Sequence, residues 1–203
     1  MIVEEASMST AILPGVPATP QFPSVPLLTA EEFAERYDGQ RVELVKGIVE
    51  ELPMPKSRLH GKACIRFGAA LLAWADERDC GHVMSNDTWI RTTRAPDSVR
   101  GPDLFYIGYE KIAKDDRSDE LTQQAPDLVA EVKSPSDSWT QINAKTREYL
   151  QSKIPVVVIL DPVTKSAMVY RDNEPPVTFA AKDDLVVSEV LPGFAVNVGS
   201  LFV

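Results

Sequence analysis

The chain has 203 residues, a formal net charge of −9 and an apolar fraction of 44%. That length can bury a sizeable core, no apolar run reaches the ~18 residues of a membrane span, and the acidic N-terminus lacks the basic flank of a secretory leader. The charge excludes polyanion binding through bulk electrostatics, and two cysteines, Cys64 and Cys80, exclude a disulfide framework and form no C-x-x-C pair, so a reduced, cytoplasmic protein is expected.

Residues 1–26 carry prolines at 14, 17, 20, 23 and 26, which lack an N–H and hold φ near ~−65°, so an extended or disordered arm is expected. A single domain is expected over 27–203. Thr29-Ala-Glu-Glu32 matches a capping box and opens a short helix over about 30–37. "RVELVKGIVEEL" reads as two strands turning at Lys46-Gly47, with Pro53 and Pro55 ending the second. From Ser57 to Arg78 the residues Ala63, Phe67, Ala70, Leu71 and Trp74 form a helical stripe. "HVMSNDTWIRT" reads as one strand, "APDSVRGP" as a turn and "DLFYIG" as another strand. Residues 110–124 are charged and polar with no clear period and read as a loop or a short surface helix. A strand follows over about 127–133, then a helix over about 138–152 with Trp139, Ile142, Tyr149 and Leu150 inward. "IPVVVIL" is an interior strand, and several short strands complete the chain. The order predicts a mixed α/β or α+β fold.

Strand periodicity places Asp127, Glu131 and Lys133 on one face of "DLVAEVKSPSD". Asp127 follows Pro126 and reads as a local backbone cap. Asp103 begins the preceding strand, and Glu43 lies in the early hairpin between Val42 and Leu44. Acids at neighbouring strand ends are the oxygen ligands that Mg²⁺ takes, and a lysine beside them can orient water or stabilise phosphate charge. The alternative is an ion pair of Glu131 with Lys133 near a sheet edge, worth ~0–1 kcal/mol.

The ordered segments "VELVKGIVEELPMP", His60, "GPDLFYI", "APDLVAEVKSPSDS", Lys145 and Tyr149 before "IPVVVILDP", and "LPGF" resemble the Uma-two family of restriction endonucleases. The resemblance spans about residues 27–203. It implies the PD-(D/E)XK superfamily: a restriction-endonuclease-like core of mixed sheet flanked by helices, with an extra N-terminal hairpin and C-terminal strands. It further implies a Mg²⁺- or Mn²⁺-dependent endonuclease hydrolysing phosphodiester bonds in DNA. Position by position, Asp103 is the motif aspartate, Glu131 the second metal-ligating acid, Lys133 the motif lysine and Glu43 a third acidic wall. Many members carry an apolar residue at the position of Lys133, so this chain fits the superfamily motif more fully than its family requires.

Lys145 and His60 are secondary candidates; a snorkelling lysine and a helix-start hydrogen bond are their plain alternatives. Lys62, Arg91, Arg94 and Arg100 are candidates for the DNA backbone, or else a solvated face. A homodimer is expected by analogy with nucleases that cut both strands. The other class of function is a catalytically silent module of the same fold, acting in protein binding or assembly.

Overall fold

A computed structural model describes residues 26–52, 57–85 and 87–203. Most of the Pro-rich arm, the strand-ending prolines 53 and 55, and Lys56 lie outside the described residues.

Thr29 caps the first helix, α1 (Ala30–Tyr37), through the expected capping box: its hydroxyl accepts from Glu32 N–H while Glu32 accepts from Thr29 N–H. The hairpin of β1 (Val42–Val45) and β2 (Ile48–Glu51) turns at Lys46 and Gly47, both with positive φ, 51° and 79°. That is the turn whose twist matches antiparallel strands. The long helix α2 (Arg58–Arg78) is capped by Ser57 and buries Ala63, Phe67, Leu71, Trp74 and Ala75 on one stripe.

The segment expected as one strand over 82–92 is two: β3 (Gly81–Ser85) and β4 (Ile90–Thr93), which belong to different sheets. The expected turn 95–102 contains a further strand, β5 (Ser98–Arg100). Apolar pairs at 83–84 and 89–90 flank the polar run 85–88, which marks a break in the sequence but does not say that the chain changes sheets there. Then come β6 (Leu104–Gly108), β7 (Leu128–Val132), α3 (Trp139–Gln151), β8 (Val156–Asp161) and β9 (Ser166–Tyr170). The chain ends with β10 (Val177–Phe179), β11 (Asp184–Val186), β12 (Ala195–Asn197) and a 3₁₀ turn (Val198–Phe202).

One sheet has the order β10-β9-β8-β7-β6-β3, a second β2-β1-β5-β4, and β11 and β12 pair alone. Strands β7 and β8 are parallel with α3 as their crossover; the neighbouring pairs are antiparallel. Because both faces of β7 are covered, its sequence is almost uniformly apolar. Leu128, Ala130 and Val132 pack with Phe67, Leu71 and Trp74 of α2. Val129 faces the other way, with Phe105, Ile107, Ile142, Tyr149 and Val157. Trp139, expected inward, is the first residue of α3 and is 40% exposed; the buried stripe of the helix is Ile142, Thr146 and Tyr149.

A third cluster joins α1 to the four-stranded sheet through Ala30, Phe33, Val42, Leu44 and Val99. Asp97 fastens it. Its Oδ2 accepts from Ala30 N–H at 2.8 Å and from Arg91 Nη2 at 2.6 Å, and its Oδ1 accepts from Ala95 N–H at 3.3 Å. Burial would raise the Asp97 pKa, but Arg91 and the backbone donors win and hold it below the usual carboxylate range. A depressed folded-state pKa contributes stability above the unfolded value of ~3.9 and loses it as pH falls through the folded value. Asp97→Ala should therefore cost about 1–3 kcal/mol at neutral pH. Urea unfolding should show that difference shrinking in strong acid, below the range where the native carboxylate takes its proton.

Candidate active site

The site is built where the chain crosses from one sheet to the other. Leu44 of β1 pairs with Val99 of β5, and both point into the α1 cluster. Their neighbours Glu43 and Arg100 therefore face the opposite side, where Arg100 Nη1 donates to Glu43 Oε2 at 2.8 Å. Gly101-Pro102-Asp103 then leads directly into β6, and Gly101 N–H donates to Glu43 Oε1 at 3.1 Å.

Asp103 sits where the β6–β7 ladder ends. The register Leu104↔Ala130 would bring Pro102 opposite Val132, and the Val132 N–H is satisfied instead by Asp103 Oδ2 at 2.7 Å. The same oxygen lies 3.1 Å from Nε2 of His60, in the first turn of α2. The His60 Nδ1 lies 3.5 Å from Cys64 Sγ. The hydrogen bond from Asp103, helped by Cys64 and opposed by burial, raises the imidazole pKa to about 10.

Glu131 occupies the α3 face of β7. Tyr149 of α3 donates its hydroxyl proton to Glu131 Oε1 at 2.7 Å, and Lys145, one turn earlier, places Nζ 2.8 Å from the same oxygen. Lys145 Nζ also lies 2.9 Å from Glu43 Oε1, so one ammonium bridges acids from two sheets. Arg100 makes a second bridge, from Glu43 to Glu148 of α3, with Nε 3.0 Å and Nη2 2.5 Å from the Glu148 oxygens.

These neighbours decide the charge states. Burial, then Asp103 and Glu43, push Glu131 up to about 7 against the opposing pull of Lys145. Burial alone would lower Lys145, but Glu131 and Glu43 hold it well above the usual ammonium range. Glu43 goes the other way: burial would raise it, while Lys145 and Arg100 keep it below the normal carboxylate value. Burial and the adjacent carboxylates raise Tyr149, so its phenol remains a donor.

The site opens on a cleft of about 1330 Å³ bounded by His60, Gly101, Asp103, Glu131, Val132 and Lys145. Hard carboxylate oxygens from Asp103 and Glu131 are suitable donors for a Mg²⁺- or Mn²⁺-sized ion. Glu131 Oε1 takes Tyr149 and Lys145, and Asp103 Oδ2 takes Val132 N–H and His60, so each acid keeps its other oxygen for a ligand. The observed donor set therefore fits such an ion.

The sequence-derived candidates separate on the structure. Asp103, Glu131, Lys145 and His60 line the cleft. Glu43 is only 3% exposed and both its oxygens are engaged, so it holds Lys145 and Arg100 rather than offering a ligand atom. Lys133 follows β7 in register, yet its Nζ donates to the Ser134 carbonyl at 3.3 Å and lies 5.8 Å from the Trp139 ring. The ammonium between the acids belongs to Lys145. Of the arginines, Arg91 pairs with Asp97 and Glu31, and Arg100 is internal; both are satisfied by carboxylates within the protein rather than facing a nucleic-acid backbone. Arg94 is exposed and donates to Gln123, and Lys62 is exposed on α2. Asp127, expected as a local backbone cap, instead accepts from Gly108 N–H of β6 and pairs with Lys111, both distant in sequence. Glu148 and Cys64 were not singled out as site residues; the i, i+4 spacings of His60 with Cys64 and Lys145 with Tyr149 were the signals available.

The mixed sheets and flanking helices form a restriction-endonuclease-like fold. A crystal structure from Anabaena variabilis, of "a putative nuclease belonging to DUF820", superposes with a TM-score of 0.75 at 17% identity, covering 86% of this chain and 97% of that one. The sequence model of the Uma2 family, described as "Putative restriction endonuclease", matches residues 30–199, and the chain belongs to that family. A search of curated proteins gives no match. Among the described residues no helix is long and apolar enough to cross a membrane.

Removing one member of a buried ion cluster leaves the others uncompensated. Lys145→Met should cost about 3–5 kcal/mol at neutral pH. A raised lysine pKa contributes fully below the unfolded value of ~10.4 and is lost only as pH rises through the folded value. The wild-type contribution is therefore complete at pH 7. The cost in the variant should shrink as pH falls, first through about 7, where Glu131 takes a proton, and further in acid, where Glu43 follows; urea unfolding across that range measures this.

Proposed function

We propose that the chain is a divalent-metal-dependent endonuclease that hydrolyses phosphodiester bonds in DNA. The observation that carries this reading is the convergence of Asp103, Glu131 and the Lys145 ammonium on one open cleft. Asp103 and Glu131 hold Mg²⁺ or Mn²⁺. When bound, the ion would polarise a phosphoryl oxygen and acidify a coordinated water.

The remaining work falls to this chain's own groups. Lys145, kept protonated by its two carboxylate partners, supplies fixed positive charge for the phosphate as negative charge grows in the transition state. It acts as an electrostatic stabiliser rather than as a base. Tyr149 fixes the orientation of Glu131 by donating to one oxygen, leaving the other for a ligand or a water proton. Val132 N–H and His60 fix Asp103 in the same way. Glu43, itself paired with Arg100, holds the Lys145 ammonium in place.

One observation favours the second reading, a catalytically silent module of the same fold. The cleft rim carries Glu35, Asp38, Asp116, Asp119 and Glu120 against Arg41 and Lys111, a surface that repels a long polyanion. Short or structured DNA suits this cleft better than extended duplex.

Incubation with short single-stranded, hairpin and duplex DNA in Mg²⁺ or Mn²⁺ should give cleavage that chelator abolishes. Asp103→Asn and Glu131→Gln should each remove activity and metal binding measured by calorimetry. Lys145→Ala should lower the rate by roughly 10²–10³-fold, the scale of losing one transition-state donor. Lys133→Ala should stay within a few-fold of wild type. Equal loss in Lys133→Ala and no loss in Lys145→Ala would return the motif lysine to position 133. Absence of cleavage on every DNA form, with the metal bound, would leave the silent module as the function.

A further inference from the structure

We infer that His60, Cys64 and Asp103 form a binding site for a thiophilic divalent cation such as Zn²⁺, overlapping the hard-metal position at the Asp103 carboxylate. Among the described residues, these are the three in which a ring nitrogen, a sulfur and a carboxylate oxygen come within 4.8 Å of one another.

The arrangement follows from simple geometry. His60 and Cys64 are four apart on α2 and therefore project from one side of the helix, while the end of the β6–β7 ladder delivers Asp103. Zn²⁺ bonds of ~2.0–2.3 Å in a tetrahedron put ligand atoms ~3.3–3.8 Å apart. One ligand atom from each residue lies within 4.8 Å of the other two, wider than that range; the closest contacts, Nε2 to Asp103 at 3.1 Å and Nδ1 to Cys64 at 3.5 Å, use different ring nitrogens, so binding through one nitrogen requires the ring to turn. Side-chain rotations would complete the tetrahedron. The His60 and Asp103 side chains are 17% and 14% exposed and border the cleft, which provides an entry path and a fourth position open to water. Asp103 is oriented by the Val132 N–H, the kind of outer hydrogen bond that steadies a metal ligand.

The donor set discriminates between ions. Mg²⁺ has little affinity for sulfur, whereas thiolate and imidazole select Zn²⁺ and its neighbours in the first transition row. Binding sends two protons to solvent, one from the Cys64 thiol and one from the His60 imidazolium that Asp103 otherwise holds protonated, and His60 then ligates through one nitrogen as neutral imidazole. An ion held there occupies an Asp103 oxygen, so Zn²⁺ and Mg²⁺ compete; this consequence, unlike the site itself, rests on the nuclease reading.

The test uses the reduced full-length protein and Co²⁺ as a spectroscopic substitute for Zn²⁺. Wild type should develop a thiolate-to-cobalt charge-transfer band with one equivalent of Co²⁺. Cys64→Ser should lose the band, and His60→Asn should weaken Zn²⁺ affinity about 10–100-fold by calorimetry. Cys80→Ser and Glu131→Gln should keep the band, and circular dichroism verifies that each variant is folded. The inference is overturned if wild type shows no thiolate band, or if the band survives in Cys64→Ser; either result leaves a Cys64–His60–Asp103 hydrogen-bond chain without a metal role. A cobalt band in a protein that binds no Mg²⁺ and cuts no DNA would uphold this site while removing the nuclease reading.

Discussion

The structure depends on one buried ammonium. Lys145 stands between Glu43 of the four-stranded sheet and Glu131 of the six-stranded sheet, and Arg100 makes a parallel link from Glu43 to Glu148. Two cations and three acids thus join both sheets to α3 in the low-dielectric interior. Each charge there would be costly alone, and the cluster is tolerable because every member has a partner. The apolar clusters on the two faces of β7 supply the bulk of the adhesion, but they do not determine where the sheets meet. The ion cluster does, because its hydrogen-bond distances leave little slack.

The same constraint makes the site. Burial, with acids nearby and one lysine opposing, leaves one carboxylate poised between protonation states, which is how Glu131 comes to be pushed up to about 7. Asp103 escapes that crowding by taking a backbone N–H and His60 as partners. Two carboxylates a strand apart therefore have different surroundings: one locked into the end of a ladder, the other facing α3. The acid-rich cleft outside them is a further consequence of the −9 net charge, and it makes divalent cations the natural first guests of the cleft.

Much of the local structure was legible beforehand. The capping box at Thr29, the Lys46-Gly47 turn, the stripe of α2 and the uniformly apolar β8 are short-range signals, and each element lies where its pattern predicts. The stretch 82–102 was not legible, since its short strands carry no periodic pattern that says which sheet each one joins. Asp103 and Glu131 could be singled out because strand parity and a strand end constrain where their side chains point.

The sequence by itself determined most elements outside 82–102 and the face of β7 that carries Glu131, because these follow from spacing along the chain, and its ordered motifs carry the family resemblance. The tertiary structure alone decided which lysine meets the acids. Lys133 has the motif position, but it lies just past the strand and turns to Ser134 and Trp139, whereas Lys145 reaches Glu131 because the β7–α3–β8 crossover folds the helix back over that face. The same long-range packing turned Arg91 and Arg100 from candidate phosphate contacts into internal ion pairs, and set Cys64 beside His60 and Asp103. Charge pairing between elements far apart in sequence leaves no periodic trace, and only the assembled fold brings the partners within reach.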